Sequence, residues 1–155
     1  VKKLRILFPY VEAGLGHIVP MKAFVSEFEK EHSDEFEIIE SDFYKEDNDQ
    51  DLIKYETWLC NFVKLFAFFP FLGNLVTFFD RIIPINIASN LVMRAFHRKA
   101  YKKSLKKMDN IHADIVFSTH WATNYYARKC HNKPYSIIYC PDCDFCHAFP
   151  FKSHP

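Results

Sequence analysis

The chain has 155 residues, enough for one domain with a real core, and its 49% hydrophobic and 25% charged content excludes low-complexity, collagen-like and wholly disordered classes. Its 17 Phe against 3 Gly give more apolar area than a small core requires, so part of it is expected to face something else. The formal charge of +1 hides a split: residues 1–57 carry 7 Lys and Arg against 14 Asp and Glu, and residues 58–155 carry 13 against 5, which predicts two faces with different partners.

Leu4–Phe8 is a short apolar run closed by a turn segment from Pro9 to Gly16, as in a buried parallel strand. Ile18, Met21, Phe24, Val25 and Phe28 then fall at helical spacing, with Pro20 expected in a first turn. Glu35–Glu40 reads as a second strand, followed by an acidic loop from Asp42 to Asp51. The opening is thus strand, glycine loop, helix, strand: a βαβ unit.

Leu52 to Asn86 alternates helical patches with breakers at Pro70, Gly73 and Pro84. From Ile87 a longer helix is expected, with Ile87, Leu91, Ala95, Tyr101, Leu105 and Met108 as its apolar stripe. Arg94, Arg98, Lys99, Lys102, Lys103, Lys106 and Lys107 lie on its polar side with no acid between them. Asp114–Ser118 is a third strand, Trp121–His131 a helix, and Tyr135–Cys140 a fourth strand. Strands alternating with helices predict an α/β fold: a Rossmann-like parallel sheet with flanking helices. The apolar stretch from Phe62 to Phe79 contains Lys64, Pro70, Gly73 and Asn74. A spanning helix needs about 20 mainly apolar residues, so no transmembrane helix is expected. The first residues lack a signal peptide's pattern, and five Cys, an odd number, do not form a secreted disulfide framework. The chain reads as cytoplasmic. It stops soon after a strand, so a fragment of a longer fold is expected.

Four groups of residues could carry chemistry. Gly14-Leu15-Gly16-His17 stands between strand one and helix one, where glycines let a ligand approach the backbone and the helix N-terminus favours an anion. Val19 stands where a dinucleotide fingerprint would have its third glycine. His17, at the strands' carboxyl edge, can act as a general base. Ser118-Thr119-His120 ends the third strand at the same edge, where the plain alternative is a Ser or Thr helix cap beside a structural His. Cys140, Cys143 and Cys146, with His147, resemble part of a metal-ligand run, and C-x-x-C also matches a redox motif. No bound metal is expected there, because Cys140 still belongs to the strand and a fourth cysteine is absent. Last come the aromatics Trp58, Phe66, Phe68, Phe69 and Phe71 beside the seven cations from Arg94 to Lys107. That pairing fits an interfacial helix on anionic lipid, against the alternative of a core helix beside a solvated one. The acidic first third argues against nucleic acid.

Taken together, G-L-G-H, S-T-H and Pro141-Asp142 with His147 resemble the N-terminal domain of family 28-type glycosyltransferases, in the branch of monogalactosyl- and glucosyl-diacylglycerol synthases. The resemblance runs in order from Ile6 to His147. It implies the N-terminal half of a GT-B fold over residues 1–155, binding lipid acceptor and membrane, with the donor-binding domain absent. The whole enzyme would move a hexose from a UDP-sugar to a diacylglycerol-type lipid. His17 matches the loop histidine that acts as base, and Gly14, Gly16, Thr119, His120, Asp142 and His147 match acceptor-side positions at the cleft. No cofactor is implied. The partners would be an anionic membrane surface, the lipid acceptor and, through the missing domain, the UDP-sugar. The location would be peripheral on the inner face of the membrane. The rival readings are a membrane-surface binding module without chemistry and a metal or redox protein built on the clustered cysteines.

Overall fold

The structure is a computed structural model that describes residues 2–12, 15–69, 71–72, 75, 78, 91 and 94–139. Its elements in chain order are β1 (Leu4–Tyr10), α1 (Leu15–His32), β2 (Phe36–Asp42), α2 (Gln50–Phe68), α3 (Arg98–Ile111), β3 (Ile115–Ser118), α4 (Trp121–Lys129) and β4 (Tyr135–Ile138). All strand pairs are parallel and the sheet order is β2-β1-β3-β4. This is a Rossmann-like α/β sheet, as the alternation of apolar runs and helical spacings requires.

The residues of β1 explain its central place. Ile6, Leu7 and Phe8 are all buried because helices cover both faces of the strand. Ile6 and Phe8 face α1, where Met21 and Val25 are buried and Phe24 and Phe28 pack beside them. Leu7 and Val11 face the other layer, with Phe43, Tyr44, Leu52, Tyr55 and Leu59 and the apolar sides of α3 and α4. Among the described elements, α1 therefore covers one face of the sheet, and α2, α3 and α4 the other.

Several expected boundaries shift. β1 runs on through Pro9 and Tyr10, because past Leu7 it pairs with β2 alone, and a strand with one neighbour tolerates proline. Pro20 lies in the body of α1, not in its first turn. β2 extends to Asp42, α4 ends at Lys129, and β4 ends at Ile138, so Cys140 is not part of the strand's described span. The long helix expected from Ile87 is interrupted. His97 has φ −119° and ψ 35°, outside helical geometry, and α3 begins after it. Leu91 and Ala95 are exposed, so only Tyr101, Leu105 and Met108 of the expected stripe pack on the core. Ile87 itself lies outside the described residues.

The path of α2 sets where its exposed aromatic end lies. Asp49 caps it by accepting from the Asp51 and Leu52 amides, and contacts then step in opposite directions along α2 and α3. Asp49 and Asp51 meet Lys103, whereas Tyr55 and Trp58 lie against His97. Farther on, Glu56 and Cys60 reach Glu12, just past the carboxyl end of β1. Beyond Leu59 no described side chain of α2 is buried. The helix leaves the body of the domain at the carboxyl edge of the sheet.

Candidate functional site

The strand order places a switch point between β1 and β3: β2 lies on one side of β1, and β3 and β4 on the other. Open α/β sheets bind ligands outside the strands' carboxyl ends at such a point. Here it is bridged by one pair of residues. His17 in the first turn of α1 has Nδ1 2.7 Å from the Thr119 carbonyl oxygen, and the Thr119 hydroxyl donates to the His17 carbonyl at 2.9 Å. A carbonyl only accepts, so Nδ1 carries the proton. Nε2 then holds the lone pair, and it makes no hydrogen bond to any described residue. In the neutral ring, that is the tautomer a general base requires.

His120 follows directly and is 4% exposed. Its Nδ1 accepts from the Ala122 amide at 3.2 Å, so the histidine itself caps α4. The plain alternative was a cap from Ser118 or Thr119, but Thr119 is committed to His17 and the buried Ser118 hydroxyl has no partner among the described residues. The two imidazoles meet edge to face, with centroids 5.1 Å apart and planes at 81°. Burial, and then the neighbouring His17, pulls His120 down to about 3, so it stays neutral at physiological pH. Of the other residues expected on the acceptor side, Gly16 lies exposed in α1, and a Cβ built there would meet nothing within 4 Å, so packing does not demand glycine. Gly14, Asp142 and His147 lie outside the described residues, as do Cys140, Cys143 and Cys146.

Glu56 belongs to this edge and was missed in the sequence. It is 1% exposed, and its Oε1 accepts from the Glu12 amide at 2.9 Å while Cys60 Sγ donates to the Glu12 carbonyl at 3.2 Å. Its other oxygen lies 3.5 Å from Lys45 Nζ but has no hydrogen bond among the described residues, and Lys45 also pairs with Glu12. Burial raises the Glu56 carboxyl above its usual range, and the same cause raises the Cys60 thiol, which disfavours its thiolate. A signal existed: Leu52, Tyr55, Glu56 and Leu59 share one helical stripe, so Glu56 sits on an apolar face.

The residues expected on a membrane side divide. Phe68, Phe69 and Phe71 are exposed, and Trp58 is half-exposed, stacked between Tyr55 and Phe62 and against His97. The Phe66 side chain lies outside what is described. Arg98, Lys99, Lys102 and Lys106 are exposed with no acidic partner among the described residues. Lys103, by contrast, binds Asp49 and Asp51, and the 9%-exposed Lys107 binds Glu46 and Asp47. Arg94 donates to the Tyr125 hydroxyl at 3.0 Å and lies over the Tyr101 ring. The acidic and basic segments thus partly face each other rather than two separate partners.

Among the described residues no group of three His, Cys, Asp or Glu is placed to hold a metal ion, and no helix is long and apolar enough to cross a membrane. No protein-family model, no curated protein and no solved structure matches the chain.

Proposed function

We propose that this domain is the acceptor-binding, membrane-facing half of a lipid glycosyltransferase, working against an anionic bilayer surface. One observation carries the reading. An imidazole with its proton-accepting nitrogen open, at the switch point, shares the carboxyl edge of the sheet with an exposed apolar helix end. A lipid hydroxyl lies at the bilayer surface, so a base that serves it belongs beside a surface that docks there. His17 Nε2 takes the hydroxyl proton as that oxygen bonds to the anomeric carbon of the donor. The bond from that carbon to the phosphate oxygen breaks, and UDP leaves with the electron pair. The sugar nucleotide would be held by a second Rossmann-like half, which the resemblance assigns outside these 155 residues.

The test is hexose transfer from UDP-glucose or UDP-galactose to diacylglycerol in anionic vesicles, with the donor-binding half present. His17→Asn keeps a donor for the Thr119 carbonyl but has no base. It is expected to fold normally and to lose about a hundredfold or more in turnover, the usual size of a general-base contribution. Near wild-type turnover by His17→Asn would remove His17 from the reaction. No transfer by the wild type with either donor would reduce the domain to a membrane-surface binding module.

A further inference from the structure

His17 stands in the first turn of α1 on a half-exposed surface, and one hydrogen bond to the Thr119 carbonyl orients it. A neutral hydrogen bond of this kind contributes modestly, roughly a several-fold preference over the competing arrangement in water. The last torsion of histidine is soft and roughly two-fold, so the ring can turn over, which puts Cδ2 in place of Nδ1 at the Thr119 carbonyl and loses the hydrogen bond that fixes the Nδ1–H form. Something else has to close that alternative. Among the described residues, the ring that packs against His17 is that of His120, edge to face at 5.1 Å.

His120 is itself held on several sides. Its Nδ1 takes the Ala122 amide proton, which places its own hydrogen on Nε2. Its carbonyl accepts the Thr123 hydroxyl at 2.9 Å, and its ring lies 5.4 Å from that of Trp121. A side chain fixed this way is a wall and not a second titrating base. We infer that His120 is a positioning residue for His17: its buried, capped ring stops the His17 imidazole from turning over and so keeps the proton on Nδ1 and the lone pair on Nε2. The catalytic part of this inference rests on the reading of His17 as the base, whereas the geometric part does not. Residues with opposite protonation patterns, Nδ1–H in His17 and Nε2–H in His120, meet within one clasp across the switch point. The T-H pair just after β3 therefore acts through both members: Thr119 supplies the acceptor and His120 the wall.

Imidazole nitrogen shifts report the protonated nitrogen directly and need no activity. In the intact chain at neutral to mildly basic pH, His17 should show the Nδ1–H form and His120 the Nε2–H form, with a cross-peak between their ring protons. The informative variant is His120→Asn. Asparagine is among the strongest helix N-caps, so α4 keeps its first-turn partner while the ring is removed. His17 is then expected to shift toward the Nε2–H form that free imidazole favours, and kcat for transfer to fall roughly tenfold with donor KM unchanged. A folded His120→Asn variant with unchanged His17 signals and unchanged kcat overturns the inference. Should that variant not fold, the wild type decides alone: His17 in the Nε2–H form, or no contact between the two rings, overturns it equally. A shift of the His17 signals in a protein that transfers no sugar would sink the transferase reading and leave the positioning role standing.

Discussion

His120 also makes a prediction about stability, because burial keeps it uncharged. It titrates at about 3 in the folded protein, against about 6.5 in an unfolded chain. Between those values the unfolded chain binds a proton that the folded one does not. The contribution of His120 is therefore fully present above about pH 6.5 and falls by roughly 1 kcal/mol per pH unit below it. His97, lowered by burial, acts in the same direction. Glu56, raised by burial, opposes both, since the folded state takes up its proton more readily than the unfolded chain. The melting temperature is expected to drop as pH falls from about 7.5 to about 5, and His120→Asn to flatten that drop. A variant with the wild-type slope would show that His120 is not its source. At this scale the sequence was half legible. G-L-G-H and S-T-H marked the two loops that meet, because glycine and hydroxyl residues after strands are local signals. That the histidine, and not a hydroxyl, caps α4 was not legible, since histidine has little N-cap preference and only the Thr119–His17 contact leaves the place to it.

At the scale of elements, the strands were readable because both faces of β1 are covered and its apolar run is continuous, while α1 showed clean helical spacing. The helices between β2 and β3 were not. Their arrangement depends on ion pairs between segments more than fifty residues apart, which no local pattern records. The seven cations from Arg94 to Lys107 looked like one surface, yet α3 turns Lys103 and Lys107 toward the acidic turn and leaves Arg98, Lys99, Lys102 and Lys106 exposed. The two groups should respond differently. Lys107→Gln is expected to lower stability by about 1 kcal/mol, because its partners are half-exposed and screened, and to change vesicle binding little. Lys102→Gln with Lys106→Gln should leave the melt unchanged and weaken binding to anionic vesicles by about tenfold or more at low salt, with the difference shrinking as salt rises. Equal effects of the two replacements on vesicle binding would mean that α3 does not present a docking face.

For the whole molecule, the consequence of the α2 path is polarity from one end to the other. The carboxyl edge of the sheet carries the clasp of His17 with Thr119, the Glu56 hold on Glu12 and the emerging end of α2. The amino edge carries Arg5, which binds the Ile111 and His112 carbonyls and Glu37, together with exposed Tyr135 at the start of β4. If the domain docks on a bilayer, only the first end should enter the headgroup region. Phe68 is 79% exposed and Tyr135 63%, so replacing either changes little buried area and costs the fold at most about 0.5 kcal/mol. That makes the pair a clean contrast. Phe68→Ser with Phe69→Ser is expected to reduce sedimentation with anionic vesicles at high salt, where apolar insertion and not charge holds the protein, and to leave the melting temperature unchanged. Tyr135→Ser, at the opposite edge, should change neither. A drop in melting temperature for the Phe pair would assign those rings to the core. Equal loss of binding with Tyr135→Ser would remove the polarity. A wild-type domain that stays in the supernatant with anionic vesicles at low salt would separate His17 from any membrane and require its acceptor to be soluble.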